Sequence, residues 1–420
     1  MKVSNFVGTG MIMTCLMLST SCSSTEDNEI VLPNDRVDIE LNGSTRAAAN
    51  SLKDFYVNFT TDAAKYVDNE SDLSGNFIVS PLSASMVLSM IANGVEEDVR
   101  QEISDYLGTN DVDALNSFAS TMLTKLPKID NQTEVKLANS AWVNNNYKLL
   151  TDYSSLLSNR YNAEINYLDF VGNIEKESKI IDNWCAKQTN GVISKMVDKI
   201  EPNTLAIILN AAYFKGLWKE GTFSEKNTTS KPFHGTKGTN DVDMMHADHS
   251  VRDYYKDDNF ELFYLPFGNS AYSLMVVLPN ENMSIEEANN MLSTELLNDL
   301  RSNAVACNLA VDLPRFKVDT NLKLDDILNE GGLSKTVGLL ALDMFENGPQ
   351  NGFVKYHQGA ALMIDEKGAK AAAATSGSIV DSAPIITGGT YSVSVDRPFY
   401  FFLMEISTQA CVFSGRITDI

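Results

Sequence analysis

The run Phe399-Tyr400-Phe401-Phe402-Leu403-Met404-Glu405-Ile406, followed closely by Ala410-Cys411-Val412-Phe413, restricts the fold of this chain more than any other stretch. A continuous apolar run of that kind suits a strand covered on both faces. Further strand-like runs lie at 205–209, 211–214, 262–265, 273–278, 307–313 and 391–395. The first third reads differently. From Ser51, the spacing of Leu52, Phe55, Tyr56, Phe59, Ala63, Tyr66 and Val67 fits one face of an amphipathic helix. Two more helical stretches follow at 82–93 and 95–107, the first opened by Ser80-Pro81, a capping residue followed by proline. Helical patches recur at 285–300 and 322–330. Helices early and strands later predict an α+β fold rather than an alternating βαβ one.

At 420 residues with 44% hydrophobic content, the chain can bury a large core. It carries 33 basic and 55 acidic residues, a net charge of -22. An anionic surface field of that size argues against nucleic acid and anionic lipid as partners.

Lys2, the largely apolar stretch 6–18 and Ser19-Thr20-Ser21-Cys22 have the shape of an export signal. The small residue before a cysteine resembles a bacterial lipoprotein cleavage site, although Leu18 stands four residues ahead of Cys22 where three is commoner. On that reading residues 1–22 are a signal peptide and Cys22 becomes the lipidated first residue, the only membrane attachment expected. Ser23-Ser24-Thr25-Glu26-Asp27 resembles the tracts that route lipoproteins to the cell surface. The expectation is an outer-membrane lipoprotein exposed at the surface, or a secreted protein. Residues 23–50 are polar and aperiodic and read as a tether, with the folded domain at 51–420. Cys185, Cys307 and Cys411 then remain. They offer no disulfide framework and read as buried small hydrophobes.

Catalytic and metal chemistry find little support. There are four histidines; His246 and His249 stand beside Asp243 and Asp248, but no third ligand motif accompanies them. A Gly-x-Ser-x-Gly nucleophile turn, a P-loop and a Gly-rich dinucleotide fingerprint are all absent from the sequence. The sequence therefore predicts no catalytic residue, no metal and no cofactor.

Asp365-Glu366-Lys367-Gly368-Ala369-Lys370-Ala371-Ala372-Ala373-Ala374-Thr375 is the remaining anomaly. Alanine favours helix, but Gly368 and the Ser376-Gly377-Ser378 run leave too short a stretch for a stable isolated one. As a strand, Ala369, Ala371, Ala373 and Thr375 share one face, and Lys370, Ala372, Ala374 and Ser376 the other. From these residues alone two readings stay open: an Ala-rich surface linker, or a strand with one small face.

Six separated segments agree with one another: Asn76-Phe77-Ile78-Val79-Ser80-Pro81-Leu82-Ser83, the block from Asn210 to Trp218, Leu313-Pro314-Arg315-Phe316-Lys317, Asp365-Glu366-Lys367-Gly368, Arg397-Pro398-Phe399 and Phe413-Ser414-Gly415-Arg416. Together they resemble the serpin family over about residues 51–420. The resemblance implies a monomeric serpin fold with about nine helices, three β-sheets and an exposed reactive loop at about 366–396. It implies a suicide-type inhibitor of serine, or of cysteine, endopeptidases, in which the cleaved loop inserts into the central sheet; the alternative is a non-inhibitory member acting as a surface binding or scaffold protein.

Residue by residue, Glu366, Gly368, Ala369, Ala371, Ala372, Ala373, Ala374 and Thr375 match the reactive-loop hinge. Lys370 replaces the usual glutamate on the outward face. Ser80, Ser83 and Asn210 match the shutter beneath the parting sheet. The shutter histidine of the family falls on Gln358, or on His357 if a one-residue bulge intervenes, and the reading prefers Gln358 bonded to Asn210. Trp218, Arg315 and Glu366 match the breach at the top of the sheet. The usual spacing from Gly368 puts the scissile bond at Ser382-Ala383, and any bond from Ile379 to Thr387 stays open. Residues 379–385 contain no Lys or Arg, so elastase-like or subtilisin-like targets are expected, with papain-like cysteine proteases next.

Overall fold

The computed structural model describes residues 32–70, 75–172, 174–197, 200–201, 203–346, 348–369 and 386–420. The first helix, Gly43–Asn69, is capped by Asn42, whose side chain accepts from the Thr45 amide at 2.9 Å. Of the predicted face it buries Leu52, Phe55, Tyr56, Phe59, Ala63 and Val67, with Tyr66 half-buried. The helix begins ahead of Ser51, so the end of the expected tether belongs to the folded body. Ala48 and Ala49 are buried in it. Three alanines give no amphipathic signal, but alanine is the strongest helix former. The preceding residues also lie on the body: Asn34 and Asn131 exchange amide-to-side-chain hydrogen bonds of 3.1 and 2.9 Å. Residues 1–31, with Cys22 and the expected signal peptide, lie outside the described residues.

Helix Pro81–Ala92 is buried at every position, as an all-round apolar helix must be. Around it stand two hydrogen-bonded sheets. One has seven strands and runs Phe316–Lys323, Asn351–Ile364, Thr204–Leu217, Thr133–Asn144, Glu164–Leu168, with Leu339–Ala341 and Gly368–Ala369 attached. The other has nine. Among the described residues, the three sheets implied by the resemblance thus form two continuous ladders. Strand Gly238–Lys256 is the reason: an irregularity between Ala247 and Ser250 bends it, and it pairs with Thr229–Gly235 near one end and Phe260–Pro266 at the other.

The C-terminal apolar runs are strands Phe399–Glu405 and Ala410–Ile417, adjacent in the nine-stranded sheet and buried throughout. Glu405 is the one acidic residue in the first of them. It sits beside the connecting turn, where its carboxylate accepts from the amides of Ser407 and Thr408 at 2.9 and 2.8 Å. A buried carboxylate is tolerable when hydrogen bonds replace its water. Helix Ile174–Gln188 covers the outer face of the seven-stranded sheet through Ile181, Trp184 and Cys185, which pack with Trp142, Ile207, Leu209 and Ala361. Cys185, Cys307 and Cys411 are all free and buried.

Helix Leu324–Glu330 tucks beneath strand Asn351–Ile364, where Asp325 accepts from the Tyr356 amide at 3.2 Å and pairs with Lys355 at 3.2 Å. Burial outweighs both contacts and pushes the Asp325 carboxyl up to about 6. An acid with a raised folded pKa favours the fold most below its unfolded value of about 4, and that contribution is lost as pH rises through about 6. Asp325→Asn is therefore expected to gain on wild type by roughly 2–3 kcal/mol between pH 4 and pH 7. Urea unfolding at the two pH values reads the difference, and parallel profiles would disprove it.

Candidate functional site

Strands Thr204–Leu217 and Asn351–Ile364 run parallel at the centre of the seven-stranded sheet. Their ladder starts at Phe353↔Thr204 and ends at Gly359↔Ala211. Above that point each strand keeps its outer neighbour. Strand Thr204–Leu217 stays paired with Thr133–Asn144 up to Gly216, and Asn351–Ile364 stays paired with Phe316–Lys323 up to Ile364. Among the described residues, no ladder joins residues 212–215 to 360–364, which leaves a cleft between the two strands at this end of the sheet. Facing edges without a common ladder are a template for an added strand.

The chain itself supplies the start of such a strand. After Ile364 it reverses in a tight turn closed by Asp365 N to Gly368 O at 3.0 Å and Gly368 N to Asp365 O at 3.1 Å. Gly368 and Ala369 then pair antiparallel with Leu217 and Gly216. Gly368 has φ +116°, and a Cβ there would stand 2.1 Å from the Gly216 carbonyl oxygen. The position accepts glycine alone without backbone movement. Ala371, Ala372, Ala373, Ala374, Thr375, Ser382 and Ala383 lie outside the described residues.

Several side chains clamp the turn. The Trp218 indole donates to Asp365 O at 2.7 Å, and its amide to Lys367 O at 3.2 Å. The ring stacks on Phe267, with centroids 4.3 Å apart. Arg315 Nε donates to both Glu366 oxygens at 2.9 and 2.8 Å, and Thr228 donates to the same carboxylate. The Glu366 side chain is 4% exposed and Arg315 39%. Burial raises the Glu366 pKa, but the Arg315 and Thr228 hydrogen bonds together hold it below its ordinary value. Arg315 also reaches Asp243 at 2.9 Å. Thr228, Asp243 and Phe267 carry no distinguishing sequence signal, because each reaches the turn from a separate segment.

Below the cleft, the expected Gln358 to Asn210 bond is corrected. The two residues are ladder neighbours, but the Gln358 amide group turns to the helix cap: Oε1 accepts from the Ser80 amide at 2.7 Å and Nε2 donates to Ser80 O at 2.8 Å. Asn210 Nδ2 instead donates across the sheet to Asn139 at 2.8 Å. The longer glutamine reaches the helix, whereas the shorter asparagine meets its neighbour on the next strand. His357 lies on the alternate face, half-buried, and no bulge separates the two candidates; the register shift falls earlier, between Phe353 and Val354. Ser80 Oγ donates to Val412 O at 2.6 Å, and Ser83 is buried one turn on, its amide directed at Ser80 Oγ. Gln358→Leu is expected to strand the buried Ser80 amide, costing about 1–3 kcal/mol. An unchanged urea midpoint would refute that.

A model of the family described as serpin (serine protease inhibitor) matches residues 56–420. A serine protease inhibitor of Cyanea capillata is 30% identical over 360 residues, covering 82% of this chain and 92% of the relative. A leukocyte elastase inhibitor of Xenopus laevis is 26% identical over 389 residues, 88% of this chain and 99% of the relative. The crystal structure of tengpin, a thermophilic serpin in its native state, superposes with a TM-score of 0.77 at 25% identity, covering 93% of this chain and 98% of that one.

Proposed function

The chain belongs to the serpin family, and from that premise we propose that it inhibits serine endopeptidases by a suicide mechanism. The protease nucleophile attacks the carbonyl carbon before the scissile bond, the peptide C–N bond breaks, and the new amino terminus leaves while the protease stays bound through an ester. The freed loop then continues the strand begun at Gly368–Ala369 and fills the cleft, carrying the protease with it. The observation that supports this reading is the cleft itself. Among the described residues its two edges share no ladder, and the first paired residues of the loop already occupy its top.

Glu366, Arg315 and Trp218 would hold the turn until cleavage, and Gln358 with Ser80 would fix the closed lower part of the sheet. Small residues on the inward side of the hinge would pass between the strands. The cleaved bond is assigned to Ser382-Ala383, with elastase-like or subtilisin-like proteases as targets and papain-like ones next. A lipid on Cys22 would hold the inhibitor at the bacterial surface, against proteases arriving from outside.

Mixing the protein with elastase or subtilisin is the direct test. The expected product is a covalent complex that survives boiling in SDS. Loop cleavage without any such complex would overturn the proposal, and mass spectrometry of the released peptide locates the bond.

A further inference from the structure

The described chain resumes at Ile386, and its first residues are fastened to strand Val305–Pro314. Thr387 N and Gly388 N both donate to Ala306 O at 3.0 Å, and Asn308 N donates to Gly389 O at 3.0 Å. The packing is close. A Cβ on Gly388 would lie 2.3 Å from Cys307 Sγ and 3.1 Å from Val305 Cγ2, and one on Gly389 would lie 3.0 Å from the Tyr391 hydroxyl. Tyr391 leans on Tyr254, with ring centroids 5.1 Å apart. Around this rigid foot Val305, Tyr391 and Ile386 remain 43%, 46% and 48% exposed. Large apolar side chains gathered on a strongly anionic protein call for a reason.

We infer that Val305, Ile386 and Tyr391 form a docking surface for the target protease, met by the rim of the enzyme that binds residues after the scissile bond. This rests on the inhibitor reading above. The occupant follows from reach. Ile386 is three residues beyond Ala383, and extended chain spans about 3.5 Å per residue, so cleavage at the proposed Ser382-Ala383 bond would bring the protease within about 10 Å of the patch. A protease of about 230 residues has a radius of gyration of about 17 Å. Such a body cannot seat the bond in its active site without covering the foot. The patch is thus continuous with the surface that the protease must occupy, and its aromatic member is held in place before contact, which lowers the ordering cost of binding.

The test compares Val305→Ser and Tyr391→Ser with the unaltered full chain against elastase and subtilisin, measuring the second-order rate of complex formation and the inhibitor consumed per protease trapped. The expected result is about a tenfold slower association with the stoichiometry unchanged. The exposed Val305 keeps the test open if Tyr391→Ser fails to fold. An unchanged rate in both variants overturns the inference. So does a raised stoichiometry at unchanged rate, which would place the residues in the insertion step. Loss of self-association on sedimentation, with the protease rate intact, assigns the patch to a second copy and equally overturns it. If the unaltered chain traps neither protease, the inhibitor reading fails first, a result that no variant is needed to see.

Discussion

Ala369→Arg is expected to convert the protein from an inhibitor into a substrate, lowering complex formation by at least about a hundredfold while loop cleavage continues. Gly368 and Ala369 already pair with Leu217 and Gly216 at the top of the cleft. Whatever follows must pass down between two strands whose outer edges are fully paired, so the sheet cannot widen by shedding neighbours. The alternation of the hinge puts position 369 on its small-residue face. An arginine there must leave water as insertion begins, and an unpaired buried charge costs several kcal/mol. At 1.4 kcal/mol per tenfold change in rate, a penalty of about 3 kcal/mol in the inserting step lets deacylation win by about a hundredfold. SDS gels and titration of residual protease activity read the outcome. Retained one-to-one inhibition would refute the mechanism. Lys370→Glu, on the opposite face, is the matched control and should leave inhibition intact.

The elements that frame this prediction were unequally visible in the sequence. Strands Phe399–Glu405 and Ala410–Ile417 announced themselves because both faces are buried and every position but Glu405 in the first is apolar. Strand Asn351–Ile364, which forms one wall of the cleft, did not. Its buried positions include Gly352 and Gln358 beside Val354 and Tyr356, so the apolar alternation is interrupted where the strand does its work. Strand Thr133–Asn144 was hidden likewise by Lys136, Asn139 and Ser140 among its apolar residues.

The site was legible only through its company. The hinge residues read as linker or strand until the shutter and breach segments supplied a sheet to receive them. The Arg315 and Glu366 pairing followed from those segments; the Gln358 to Ser80 contact did not, because it depends on which way a side-chain amide turns at a helix cap. Helix Ile285–Met291 and helix Thr294–Asn303 show the same limit at smaller scale. The periodicity reads as one patch, while Ser293 caps a second helix separated from the first by two residues.

Cleavage of the loop in the unaltered protein is expected to raise its melting temperature by at least about 20 °C. In the intact state no ladder joins residues 212–217 to 360–364 above Gly359↔Ala211, and among the described residues only Gly368 and Ala369 add pairing there. Backbone donors and acceptors along such edges rely on water or on imperfect partners, whereas an inserted strand pairs with both edges at once. Cutting the loop removes the constraint that its far end be held by strand Thr390–Ser394, which is fixed to Val305–Pro314 in the other sheet. The freed segment can then run the length of the cleft. For a domain of about 370 residues the entropy of melting is about 0.8 kcal/mol per degree. A rise of 20 °C therefore corresponds to about 15 kcal/mol, far more than relieving one strained turn would give, and within reach only if a whole strand is added and the sheet re-pairs along its length. Calorimetry of intact and loop-cleaved protein decides the matter. A cleaved form that melts with the intact one would mean that the cleft never accepts the loop, and the trapping mechanism would fall with it.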